Sequence, residues 1–230
     1  GMKSLLKFPL LVAVATMMTC SFSACSDNDD PTPDTGTSET DAKFEAIAKQ
    51  YLDHTVYVTY KNLADETEQL VKDLQALKSS KTDANVKATC ETFLEARAWW
   101  EKSEAFLYGA ATDFGIDPHI DSWPLDLDGL QTALKNTEQV EAMGGEDGDI
   151  YAGEKLGNSL LGFHGIEYIL FEDGSPKSVS KISDLHLTYA VAVAGDLRNR
   201  CWQLELSWRG ESAVNADRVA KVANELELPY

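Results

Sequence analysis

The spacing of the apolar residues limits this chain more than any other feature. From Phe44 they recur in steps of three and four through Ile47, Ala48, Tyr51, Leu52 and Val56, and on to Leu77. The same spacing returns between Ser183 and Trp208 at positions 187, 190, 191, 194, 197, 201, 204 and 208. Such steps put side chains on one face of an α-helix, whereas a half-buried strand needs strict alternation. No convincing alternating segment is present, so the pattern predicts an all-α fold. It reads as an up-and-down helical bundle with short connections.

The helices can be placed along the chain. Residues 41–79 read as one long helix, or as two with a break near Tyr57–Tyr60, where β-branched and aromatic side chains crowd. Thr82-Asp83 can cap a second helix that stops at Gly109. A loop from Gly109 to Leu125 holds Pro118 and Pro124. Further helices are expected over 126–142, 152–171 and 183–208, with a weakly amphipathic last segment at 213–227.

Composition narrows the function classes. The 230 residues are 43% hydrophobic, enough for a core. Against 38 Asp and Glu stand 20 Lys and Arg, a formal charge of −18. That balance argues against nucleic acid, which needs clustered cationic side chains, and against electrostatic docking on anionic lipid. Cations, metal ions and basic surfaces are the partners that gain.

The first 24 residues read as an address. Lys3 and Lys7 flank a basic start, an apolar run follows from Phe8 to about Met18, and small residues lead to Cys25. The run is too short to span a membrane. Cleavage before Cys25 would leave it as the lipidated first residue; ordinary signal-peptidase cleavage nearby would leave a free thiol. Residues 25–40 have two prolines, many acids and nothing apolar to bury, so they are expected to form a disordered tether. Ser26-Asp27-Asn28-Asp29-Asp30 resembles the acidic surface-export signal of Bacteroidetes lipoproteins. The expected location is the cell envelope, periplasmic or on the outer-membrane surface, with the membrane touched through the lipid anchor alone. Loss of residues 1–24 removes two lysines and takes the charge from −18 to −20. Cys90 and Cys201 sit at apolar helix positions, where a buried free thiol is at least as expected as a disulfide.

Three central segments carry chemistry. In Gly162-Phe163-His164-Gly165-Ile166-Glu167, His164 and Glu167 are three apart, so imidazole and carboxylate share a helix face and can offer two ligands to one cation. Gly162 and Gly165 cost a helix interior up to about 1 kcal/mol each, so they should make room for another element or a ligand. A helix crossing with His164 satisfied inside the core is the plain alternative. In the segment 97–106, Glu101 and Glu104 share a face with Arg97, either as a solvated ladder or as a carboxylate pointing inward beside Trp100. The segment 117–126 packs three Asp, His119, Trp123 and two Pro into a stiffened loop that could present Asp121 or His119 to a site. Asp117 and Asp126 can equally be helix caps.

Taken in this order, Ser103-Glu104-Ala105-Phe106, Ile120-Asp121-Ser122-Trp123-Pro124-Leu125-Asp126 and the G-x-H-x-x-E motif at Gly162, His164 and Glu167 resemble the imelysin family, also called the M75 peptidases. The resemblance covers roughly residues 41–210. It implies an all-α fold of two helical halves, an extracytoplasmic location, a link to iron uptake and a metal bound at the motif. His164 and Glu167 would then be ligands. Glu104 and Asp121 would line the same site as further metal candidates, with Glu101, His119 and Trp123 nearby. Family members are usually longer, so the second half is expected to be incomplete. The cargo expected is a divalent or ferric ion, iron before zinc, passed within a protein system for iron uptake. A metallopeptidase is the family's historical label, but Tyr168 follows Glu167 and neither H-E-x-x-H nor H-x-x-E-H is present. A non-catalytic helical module for a glycan or a protein is the third reading.

Overall fold

The structure, a computed structural model, describes residues 38–230. The leader 1–24, Cys25 and most of the acidic tether lie outside the described residues. Lys43–Tyr230 form one compact unit, which holds the helical core. Helix α1 (Glu39–Tyr51) runs through a π turn (Leu52–Val56) into α2 (Tyr57–Ser79) with helical backbone angles at both joins. The anticipated break is therefore a widened turn, and it falls just before Tyr57. The hydroxyl of Thr59 donates to the carbonyl of Thr55 at 2.7 Å, a back-bond that loosens a helix locally. The apolar stripe is exposed at its start, where Phe44 and Ile47 stand in solvent, and its burial begins at Val56.

Helix α3 (Asp83–Ser103) is capped by Thr82, whose hydroxyl accepts from the Asn85 amide at 3.1 Å. It ends in a 3-10 turn at Glu104–Phe106, short of Gly109. The expected loop 109–125 contains two single turns, α4 (Ala110–Asp113) and α5 (Asp117–Ile120), the latter with proline in its first turn. The helix expected over 126–142 is two helices, α6 (Leu127–Lys135) and α7 (Thr137–Met143). Asn136 divides them: its side chain accepts from the Gln139 amide and caps α7, so its own backbone leaves the helical region.

The helix expected over 152–171 is also divided, into α8 (Gly148–Lys155), a 3-10 turn (Asn158–Leu160) and α9 (Gly162–Leu170). A small sheet follows where none was anticipated. Strands β1 (Phe171–Glu172) and β2 (Ser175–Pro176) pair antiparallel through Asp173-Gly174. Both turn residues have positive φ, 51° and 75°, the geometry of a two-residue hairpin turn that Asp-Gly favours. Helix α10 (Asp184–Arg209) starts with a capping box between Ser183 and His186, and α11 (Ala216–Ala220) continues into a π turn.

Helix α10 is the axis of the fold; α2, α8 and α9 lie against it and α3 lies against α2. One core runs through Tyr60, Leu70, Phe93, Trp100, Phe163 and Leu197. Cys90 and Cys201 are buried in that core as free thiols. Burial pushes the Cys90 thiol up to about 12 and Cys201 higher still, so neither is a reactive thiolate at neutral pH.

Candidate functional site

Three elements meet around His164. Helix α3 brings Arg97 and Trp100, the segment between α5 and α6 brings Asp121 and Trp123, and the first turns of α9 bring His164 and Glu167. Gly162 makes this meeting possible. Its φ is +74°, and a Cβ there would lie 2.2 Å from the Ile120 carbonyl oxygen and 2.8 Å from that of His119. Any side chain would push the start of α9 off the end of α5. Gly165 leaves room for the carbonyl of Leu160, 2.9 Å from where its Cβ would be, and Tyr189 donates to that carbonyl. Both glycines thus serve close backbone approach.

His164 lies between two carboxylates. Its Nε2 is 2.7 Å from Asp121 Oδ1, and its Nδ1 is 3.4 Å from Glu167 Oε2. Asp121 is held from behind: Arg97 Nη1 donates to Oδ1 at 2.9 Å and Trp100 Nε1 to Oδ2 at 3.0 Å. Burial alone would raise the Asp121 carboxyl. The hydrogen bonds from Arg97 and Trp100, with the charges of Arg97 and His164, outweigh burial and hold it below the ordinary carboxylate value. Whenever the ring is neutral its proton sits on Nε2, because a lone pair facing the Asp121 anion at that distance would be repelled. Nδ1 then presents its lone pair toward Glu167. The orientation is that of an imidazole fixed by a carboxylate behind it.

Beside His164 opens a cleft of about 390 Å³. Phe93, Leu94, Trp123, Leu125, Tyr168 and Phe171 form its walls, and the Asp173-Gly174 turn forms its lip. The ring centroids of Trp123 and His164 are 4.8 Å apart, at an angle of 57°.

The expected site residues separate into those gathered here and those placed elsewhere. Asp121, His164, Glu167 and Trp123 come together. His119 does not; it turns to α10, where Nδ1 pairs with Asp196 Oδ2 at 3.3 Å and Nε2 with Arg200 Nη2 at 3.3 Å. Glu101 is exposed and pairs with Arg97 Nε at 3.3 Å. The inward carboxylate beside Trp100 is therefore Asp121 from the loop, rather than Glu101 from the same helix. Glu104 is exposed on the 3-10 turn after α3. It helps to raise the Asp117 carboxyl, together with burial, the largest cause, and the charge of Asp121. Among the described residues, the carboxylates paired with His164 are Asp121 and Glu167. No group of three or more His, Cys, Asp and Glu is arranged among them to hold a metal ion. The four-ligand set is thus not assembled. Asp126 caps α6 by accepting from the Gly129 amide at 2.9 Å.

Sequence reasoning did not find the two groups that fix Asp121, nor the aromatic walls. Arg97 and Trp100 were legible as one helix face, but their partner sits 21 to 24 residues away on a loop. For the walls and lip, the Asp-Gly pair at 173–174 was the signal available.

An imidazole and a carboxylate at the head of a short glycine-started helix, inside an α-helical bundle, describe a class: a helical protein with a G-x-H-x-x-E site. Residues 56–227 match the family model for imelysin, peptidase M75, and the chain belongs to that family. It is 31% identical over 169 residues to the iron-regulated protein A of Synechococcus elongatus, a match covering 73% of this chain and 41% of that protein. A crystal structure of an iron-regulated protein A precursor from Parabacteroides distasonis superposes with a TM-score of 0.65 at 25% identity, over 83% of this chain and 53% of that one. A crystal structure of an imelysin peptidase from Bacteroides ovatus gives 0.52 at 33% identity, over 60% of this chain and 39% of that one. The chain thus spans about two fifths of the curated relative it matches. Among the described residues no helix is long and apolar enough to cross a membrane.

Proposed function

We propose that this protein captures a metal ion, iron before zinc, in the bacterial cell envelope, and that the ion is its cargo. The observation that carries the reading is the open edge of His164. Nδ1 and Glu167 Oε2 are 3.4 Å apart, longer than a normal N–H···O hydrogen bond. Two donors each about 2.1 Å from one ion lie roughly 3.0 to 3.4 Å apart. The pair therefore fits a cation in the space that a proton bridges poorly. One imidazole nitrogen and one carboxylate suit iron, manganese or zinc. Asp121 keeps the ring in place and, with both oxygens engaged by Arg97 and Trp100, orients His164 instead of ligating. The remaining positions around the ion fall to solvent or to a bound molecule. The iron-regulated relatives support iron, and the leader ending at Cys25 supports a lipid-anchored envelope location and a protein partner for hand-over. The test is metal content of the full chain after loading with ferrous ion and desalting. Wild type should retain about one ion and His164→Ala almost none; equal, near-zero content in both rejects the reading.

One observation favours a non-catalytic helical binding module instead: the Arg97–Asp121–His164 arrangement is charge-compensated without any ion. That reading expects His164→Ala to lower thermal stability while leaving metal content unchanged. A metallopeptidase has less support, since a catalytic zinc commonly takes three protein ligands and this edge offers two.

A further inference from the structure

The cleft is larger and greasier than a metal ion needs. It holds about 390 Å³, and aromatic and aliphatic side chains make up most of its lining. A hydrated ion also gains nothing from aromatic walls. Trp123 keeps 75% of its surface exposed while one face lies toward His164. A large aromatic side chain left in solvent at the edge of a polar pair is a surface waiting for a flat partner. Its loop is stiffened by Pro118 and Pro124, so little conformational freedom remains to be lost when something settles on it. The lining joins the polar His164 and Glu167 to the apolar surfaces of Leu94, Tyr168 and Phe171.

We propose that the cleft receives the metal as a complex with an aromatic chelator, the ring against Trp123 and the ion at His164 and Glu167. This rests on the metal-binding reading of the same pair. Charge narrows the complex further. Glu167 and Asp173 are the acids of the cleft, and among the described residues no Lys or Arg lines it; of the cations behind the lining, Arg97 is engaged by Asp121 and Glu101, and Lys177 by the Tyr168 carbonyl and ring. Nothing offsets a polyanionic chelator, so the complex is neutral or cationic. The size agrees with ordinary small-molecule sites, which begin near 300 Å³.

The test compares three probes on the full chain by calorimetric titration: zinc ion alone, the cationic one-to-one complex of zinc with 1,10-phenanthroline, and anionic zinc nitrilotriacetate. Zinc is redox-inert and binds a nitrogen–oxygen site at least as well as ferrous ion. The phenanthroline complex should bind about tenfold more tightly than zinc alone, a gain of the size aromatic contacts supply. Nitrilotriacetate should show no gain. In Trp123→Ala the ratio between complex and free ion should fall to about one, and in Trp123→Phe most of it should return. A ratio near one in wild type, or a ratio that survives Trp123→Ala, overturns the proposal while zinc binding lost in His164→Ala keeps the metal reading. No zinc binding in wild type overturns both. Self-association in sedimentation that Trp123→Ala abolishes assigns the face to a second copy and also overturns the proposal.

Discussion

Two histidines in this protein are equally buried and differently used. His119 and His164 each expose 16% of their side chain. His119 is closed on both sides: Asp196, itself 4% exposed, faces Nδ1 and Arg200 faces Nε2. His164 is closed on one side by Asp121 and open on the other, where the half-exposed Glu167 borders a cleft. Burial therefore does not separate a structural histidine from a candidate ligand. The separation comes from whether the protein saturates both ring nitrogens and whether a second lone-pair donor stands where solvent can arrive. His119 ties α5 to α10 two residues before Asp121, so the closed histidine fixes the loop that serves the open one.

The comparison breaks most readily at the closed end. Asp196→Ala removes the acceptor of His119 and the charge partner of Arg200, 3.8 Å away. Removing one member of a buried ion pair costs about 3 to 5 kcal/mol, and about 3 is expected because Arg200 Nη1 keeps Gln203. Urea unfolding measures it; a loss under about 1 kcal/mol would erase the distinction between the two sites. At the open end, Trp100→Phe removes one donor to Asp121 and should cost about 1 to 2 kcal/mol. It should also weaken metal affinity about tenfold, the usual effect of losing a group that orients a ligand. Unchanged affinity would mean that Asp121 does not position His164.

The smallest effect is set by pH. The Asp121 carboxyl is held below its ordinary value in the folded protein. Its contribution is fully present above the unfolded value, near 4, and is lost as pH falls through the lower folded value. The stability advantage of wild type over Asp121→Asn should narrow as pH falls from about 4 toward 3. A gap that does not narrow would show that another carboxylate carries the acid limb.

Much of this was readable in the chain and the rest was not, for definite reasons. Helices with a full apolar face, such as α2 and α10, were placed by spacing alone. Helices α6 and α7, or α8 and α9, keep helical spacing across a break, and periodicity does not register a cap such as Asn136 or a left-handed residue such as Gly162. His164 and Glu167 were legible because both lie on one helix. His119 lies in the single turn α5 and Asp121 just past it, a stretch too short for spacing to set direction, and the two point to opposite partners. The exposed Glu104 and Glu101 shared a face with Arg97, but the guanidinium spans α3 and the loop, which no local pattern records.

The Asp173-Gly174 turn has a consequence for how such a cleft diversifies. The hairpin asks of its two tip residues only that they tolerate a left-handed backbone. The neighbours Glu172 and Ser175 are exposed and carry no share of the core. The rim of the cleft can therefore be rewritten residue by residue while the buried scaffold stays untouched, and relatives that choose different cargo would be expected to differ first at this lip, with the histidine left as it is.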